Sequence, residues 1–262
     1  MYTYTSCMQC QIENGVPNFG STRLERIPDD GVIELVCDRG HRTFTIIQQA
    51  KYEILSELAV VALHDGYYRE AVASFASSLE RIYEYYIDLI CRHRGIVRAE
   101  FESAWKPLQK LSERQFGAFL MLYLLENGKP FQPLHQKHTE FRNKVIHTGK
   151  IPSRAEAIGY GQAVGECALP LISLINSEKY FSSRQELTFE SLFEKSQKAR
   201  KAGVRSSTLA MPTPFGFSPP SDVFNLEGLL QERAKRPDMT QAVKECHALS
   251  RLLAKNPPAS EG

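Results

Sequence analysis

Two groups of residues carry chemistry by their types and spacing. The first lies in residues 140–150, EFRNKVIHTGK, where Arg142, Asn143 and His147 fall near the end of a helical pattern. Asn143 and His147 are four apart and share one helix face. Arg142 is five from His147, about 140° round the helix. Its long side chain must curl round to reach the same pocket, or a second copy of the helix must match it. Metal-free cleavage of RNA needs these residue types. A base of near-neutral pKa takes the 2′-OH proton, and a fixed cation stabilises the charge building on phosphorus. In that chemistry His147 is base or acid, Arg142 clamps the phosphate and Asn143 orients by hydrogen bonding. His138, Lys144 and Lys150 make the same helix end basic: a solvated face in the plain reading, an RNA track in the functional one.

The second group is Cys7-Met8-Gln9-Cys10 with Cys37-Asp38-Arg39-Gly40-His41. Two short ligand pairs separated by strand-forming sequence can place Cys7, Cys10, Cys37 and His41 at the corners of a tetrahedron, as zinc requires. A segment of about 45 residues has too little apolar surface to fold by burial alone, so one structural zinc explains why it folds. With four protein ligands no position is left for catalysis. The competing readings are unrelated thiols or a redox C-x-x-C, which usually opens a helix after a strand in a thioredoxin-like fold; the sequence shows no such context. The pattern resembles a zinc ribbon whose second knuckle is Cys37 and His41.

The elements that must hold these groups follow from periodicity. Residues 32–36 (VIELV) and 42–47 (RTFTII) are β-branched runs around the turn CDRGH and predict a hairpin. From residue 48 the period becomes helical, with breaks at Gly66, Gly95, Asn127-Gly128 and Gly149. Pro107 marks a junction or early turn inside the segment 100–125, and Ser153 is the expected N-cap of a helix over residues 154–175. The result is a mainly α chain: a β segment over 1–45, an up-and-down bundle of four to five helices over 46–205, a Pro-rich linker over 206–222 and a helical tail over 223–262. The tail's two short apolar stripes, in 223–236 and 239–254, are expected to dock on the bundle or on a regulatory protein partner.

Bulk properties narrow the classes further. A net charge of +2 over 262 residues gives no broad field for polyanions, so RNA binding would rest on a local basic face. No apolar run reaches the roughly 20 residues of a membrane span, and the first ten residues lack the pattern of a secretory signal. The expectation is a cytoplasmic protein with no membrane partner. Six cysteines, three of them at Cys91, Cys167 and Cys246 in helical patterns, do not make a disulfide scaffold.

The stretch Arg142 to His147, with Asn after the Arg, resembles the R-x4-6-H signature of HEPN domains. The long amphipathic run YREAVASFASSLERIYEYYI before it and the helix restarting after a Gly/Pro turn match that family's layout. The resemblance spans about 150 residues. It implies a homodimer whose two motifs meet in a cleft, forming a composite endoribonuclease site with no catalytic metal. Arg142, Asn143 and His147 carry over as catalytic residues, and Glu80 would line the cleft. Such enzymes commonly serve as toxins or phage-defence effectors. The alternatives are a non-catalytic HEPN-like module that binds nucleic acid or nucleotide, or a regulatory adaptor acting through residues 206–262. A metal-dependent hydrolase fits poorly, since no carboxylate cluster accompanies the helical histidines.

Overall fold

The computed structural model describes residues 1–14, 19–216, 223–235, 241, 243–245 and 248. The first elements are β1 (Tyr2–Thr5), α1 (Met8–Asn14), β2 (Arg23–Arg26), β3 (Val32–Val36) and β4 (Arg42–Ile47). Six helices follow: α2 (Lys51–His64), α3 (Tyr68–His93), α4 (Arg98–Leu108), α5 (Ser112–Asn127), α6 (Gln136–His147) and α7 (Arg154–Ile175). The described chain ends with α8 (Phe181–Ala202), β5 (Ser206–Leu209) and α9 (Leu226–Ala234). It is mostly helical with a small N-terminal sheet. Two compact units emerge: Met1–Gln48 with Phe189–Met211, and Gln49–Thr188 with Pro212–Lys235. The second tail helix expected over 239–254 lies almost wholly outside the described residues.

In the first unit, β1 and β2 form an antiparallel ribbon, and β3, β4 and β5 form a sheet in that order. β3 and β4 are the predicted hairpin, paired antiparallel from Val32↔Ile46 to Val36↔Arg42. Strand alternation puts Ile33, Leu35 and, one step on, Cys37 on one face, and Val32 with Phe44 on the other. The second face packs on Ala199 of α8, with Ala202 and Val204 beside it. Residues 206–209, read in sequence as part of an extended linker, instead add β5 parallel to β4, with Phe44↔Ser206 through Ile47↔Leu209. The basic run at the end of α8 anchors this unit: Lys195 Nζ donates to the Ile47 carbonyl at 2.9 Å, and Lys198 pairs with Asp30.

The second unit is built around α3, which packs on α2, α5, α6 and α7. Its core includes Phe75, Leu79, Ile82, Tyr86 and Ile90 from α3, with Phe119, Val145, Val164 and Ile172 from the surrounding helices. Ser153 caps α7 as expected: its Oγ accepts from the Glu156 N–H at 3.3 Å, while the Glu156 carboxylate accepts from the Ser153 N–H at 2.8 Å. Pro107 falls within the last turn of α4, and the junction opens after it, at Gln109. Among the described residues α7 is the one helix long and apolar enough to cross a membrane. Its Ala157, Val164, Ala168 and Ile172 are buried in the bundle core.

The small residues of α7 also explain how the tail docks. A Cβ at Gly165 would stand 2.0 Å from the Phe224 ring, and one at Gly161 would stand 2.6 Å from Leu226 and Phe75. Gln162 clamps the same segment, donating to the Phe224 carbonyl at 2.6 Å and accepting from the Leu226 N–H at 2.9 Å. The apolar stripe of α9 is therefore used within the chain. Gly165→Ala is expected to push Phe224 out and cost about 2 kcal/mol, the range for overpacking plus loss of one buried aromatic. In thermal unfolding, Phe224→Ala should absorb most of that penalty, because the two sites share one contact. Additive effects would show that Gly165 does not act through Phe224.

Glu126, at the end of α5, joins three segments. Its side chain is 2% exposed and accepts from Arg94 after α3 at 2.5 Å. It also accepts from Lys179 Nζ at 2.5 Å and the Tyr180 hydroxyl at 2.9 Å, both in the turn after α7. Burial opposes its ionisation, but these three donors overcome it and lower the carboxyl pKa to about 2. A folded-state pKa depressed in this way stabilises the fold above the ordinary glutamate value, and that stability is lost as pH falls toward 2. The full contribution is on the order of 3 kcal/mol. Urea midpoints of wild type and Glu126→Gln should thus differ most at neutral pH and converge near pH 2. A difference that persists unchanged at low pH would refute this assignment.

Candidate functional site

The N-terminal unit gathers Cys7, Cys10, Cys37 and His41, whose ligand atoms all lie within 4.8 Å of one another. β1 leads directly into Cys7, and α1 opens at Met8, so Cys10 turns back one helical step onto Cys7. Cys7-x-x-Cys10 thus opens a helix after a strand, but β1 pairs with β2 in a two-stranded ribbon and not in a thioredoxin-like sheet. What sets it apart from a redox pair is the second hairpin. β3 carries Cys37 onto the same face as Leu35, and Leu35 packs with the three cysteines. The turn after it closes through the Gly40 N–H to the Cys37 carbonyl at 2.9 Å, with Gly40 at φ +79°, a conformation open to glycine. That turn delivers His41.

Three of the six ligand distances come close to the edges of a tetrahedral ion. Cys10 Sγ lies 3.7 Å from Cys37 Sγ and 3.3 Å from His41 Nδ1, and Cys7 Sγ lies 3.9 Å from His41 Nδ1. Zinc bonded to sulfur and nitrogen at its usual lengths sets these edges at about 3.8 Å for S···S and about 3.6 Å for S···N. The group can therefore hold one metal ion. The three cysteines are buried. Burial, with the Cys37 and Cys7 sulfurs alongside, pushes the Cys10 thiol up to about 12. Burial also opposes ionisation of Cys37, but the backbone N–H groups of Arg39 and His41 outweigh it and lower that thiol. Beyond the ligands, His41 Nε2 faces Glu13 Oε1 at 3.4 Å. Gln9 donates to the same carboxylate at 2.9 Å and Arg39 pairs with it at 3.0 Å. The hydrogen bond from Gln9, then His41 and Arg39, keeps this carboxyl low. A carboxylate behind a ligating imidazole fixes its tautomer and strengthens it as a ligand. Sequence reading missed Glu13; its spacing from Cys10 inside one short helix was the only available signal.

The second unit contains a cleft of about 360 Å3 lined by Glu80, Thr139, Arg142, Asn143 and His147 at its polar side. Its floor includes Leu79, Tyr83, Phe116, Leu134 and Tyr160. α6 supplies Thr139, Asn143 and His147 at successive intervals of four, so they stand in line on one face. Gly149, at φ +75°, ends this helix, and the Thr148 and Lys150 N–H groups both return to the Lys144 carbonyl at 3.2 Å. Arg142 reaches the same cleft within one chain: it pairs with Glu80 of α3 and donates to Asn143 Oδ1 at 3.0 Å. The Arg142 and Glu80 side chains are 25% and 31% exposed, so the guanidinium is held but remains accessible. His147 and Asn143 are exposed. Burial pushes the Tyr83 and Tyr160 phenols well up, so both stay neutral at working pH.

The residues expected to track RNA stand apart from that lining. Lys144 is exposed on α6. Lys150 pairs with Glu156 at 2.7 Å and lies 5.7 Å from the Phe141 ring centroid, which ties it to the start of α7. His138 is half-buried, 6.4 Å from the Tyr160 ring, and burial followed by its neighbours Lys137 and His135 lowers its pKa. Sequence reasoning missed Thr139, Phe116 and Tyr160. Thr139 was within reach, one turn before Asn143 on the same face. Phe116 and Tyr160 enter by tertiary packing, from α5 and α7, and read locally as ordinary core positions. Set against family models, curated proteins and solved structures, the chain matches none of them.

Proposed function

We propose that the chain is a metal-independent endoribonuclease of HEPN type, stabilised by a structural zinc ion at Cys7, Cys10, Cys37 and His41. The observation that carries the reading is the convergence of Arg142, Asn143 and His147 on one open cleft, with Glu80 holding the guanidinium. His147 takes the 2′-OH proton of the substrate. The 2′ oxygen then attacks phosphorus, the bond to the 5′ oxygen breaks, and that oxygen receives a proton. The products are a 2′,3′-cyclic phosphate and a 5′-hydroxyl. Arg142 stabilises the charge on the non-bridging oxygens, and Asn143 keeps the guanidinium aimed. One imidazole cannot be base and acid on opposite sides of the phosphorus at once. A homodimer that brings two His147 side chains to one substrate divides the roles, which is why we favour a composite site. At the metal centre the four protein ligands leave no open position, so zinc would act on folding alone. A cytoplasmic toxin or phage-defence effector is the setting that the HEPN resemblance alone implies.

A second reading has its own support. Arg142 already has an anionic partner in Glu80, and the cleft floor is largely apolar, as in a ligand-binding module that does not cleave. The two readings part in one experiment: incubation of total RNA and tRNA with purified protein and no added divalent ions. Fragments ending in 2′,3′-cyclic phosphate support the nuclease. Intact RNA in the presence of folded dimer would favour the binding module.

A further inference from the structure

We infer that the cleft beside Arg142 is a base pocket, which admits one unstacked nucleobase and so restricts the enzyme to single-stranded RNA. The choice of RNA as ligand rests on the nuclease reading above; the pocket chemistry stands on its own residues. Phe116 is half-buried and lines the cleft. Its ring is backed by Phe119, stacked at 6.1 Å between centroids, and by Tyr83 at 5.2 Å. Such backing holds one aromatic side chain in a fixed orientation at the cleft wall. Tyr83, Leu79 and Leu134 complete an apolar floor, and about 360 Å3 is the small end of the range for ligand sites.

Charge decides which part of a nucleotide enters. Glu80 and Glu113 both line the cleft, while its cation, Arg142, is already paired with Glu80. A phosphate pushed to the floor would leave Arg142 and meet only apolar and aromatic side chains. A base placed there instead meets an aromatic wall on which its face can stack. The phosphate then stays at the rim, beside Arg142 and His147. A base paired in a duplex cannot reach such a floor without leaving its stack.

The test separates binding from cleavage. In a His147→Ala background, binding of a short unstructured oligoribonucleotide is measured by fluorescence anisotropy, alone and annealed to its complement. Single-strand affinity should exceed duplex affinity by at least about ten-fold. Adding Phe116→Leu, which keeps apolar volume but removes the ring face, should weaken single-strand binding roughly ten- to hundred-fold. Phe116→Tyr should restore it, and circular dichroism checks that each variant is folded. Equal affinity for duplex and single strand, or no effect of Phe116→Leu in a folded protein, overturns the base pocket. If wild-type protein cuts no RNA yet Phe116-dependent single-strand binding persists, the nuclease reading fails and the pocket stands. If wild type cuts RNA and Phe116→Leu leaves KM unchanged, the pocket fails and the nuclease stands.

Discussion

His147→Ala is expected to lower the rate of RNA cleavage by about 10²–10⁴-fold, the usual value of a general acid–base group. Arg142→Ala should cost about 10²–10³-fold, as for loss of a group that stabilises developing charge. These losses are large beside any structural role of the same residues. The Arg142–Glu80 pair is partly exposed, and such pairs contribute about 1 kcal/mol or less to stability. A hundred-fold rate loss corresponds to about 2.7 kcal/mol of barrier. Thermal unfolding of Arg142→Ala should thus move little while cleavage nearly vanishes. Arg142→Lys should recover only part of the rate, since an ammonium cannot hold Glu80, Asn143 and a phosphate oxygen with one planar fork. Mixing the two inactive chains adds a test of shared sites. If each site draws its Arg and its His from different protomers, mixed dimers of His147→Ala and Arg142→Ala regain cleavage. No recovery in verified mixed dimers would mean that each site needs both His147 side chains or draws its Arg and His from one chain. Unchanged cleavage in His147→Ala would remove this histidine from the mechanism altogether.

Much of the frame that holds these sites is written locally. The helix stops at Gly66, Gly95, Gly128 and Gly149 are legible because each adopts positive φ, where other residues are strained. Ser153 with Glu156 announces its own cap. The hairpin of β3 and β4 is legible from β-branched runs around a tight turn, and the four metal-site residues from two short spacings. What stayed hidden depends on partners distant in sequence. β5 has only Ser206, Ser207, Thr208 and Leu209, with no alternation of its own, and becomes a strand because β4 offers an open edge about 160 residues away. α1 is a seven-residue helix that no periodicity could reveal. In the cleft, one α6 face gave the polar side, whereas Phe116 and Tyr160 join it only once α5 and α7 pack on α3. The local code thus locates the chemical groups, and the tertiary contacts supply the surface against which they would work.

Metal removal should have the largest effect on stability, and it bears on the first unit. Purified protein is expected to carry about one zinc per chain. Its loss to a strong chelator should unfold the segment around Cys7, Cys10, Cys37 and His41. Among the described residues the apolar clusters there are small: Leu35 packs with three cysteines, and Val32 and Phe44 pack with Ala199 on the other side of the sheet. Zinc binding in comparable small domains supplies roughly 10–16 kcal/mol of folding free energy, more than such contacts can replace. Cys10→Ser should act like the chelator, because it removes the sulfur that lies 3.7 Å from Cys37 Sγ and 3.3 Å from His41 Nδ1. Glu13→Gln should leave the fold intact yet weaken zinc about 10–100-fold, the usual cost of losing a carboxylate behind a ligating imidazole. Zinc release followed with a colorimetric chelator, beside limited proteolysis of Met1–Gln48, separates the two variants. A chelated protein whose N-terminal segment resists protease as well as the untreated one would show that this unit does not depend on metal. Its fold would then rest on the β3–β4–β5 sheet and the packing of α8 alone.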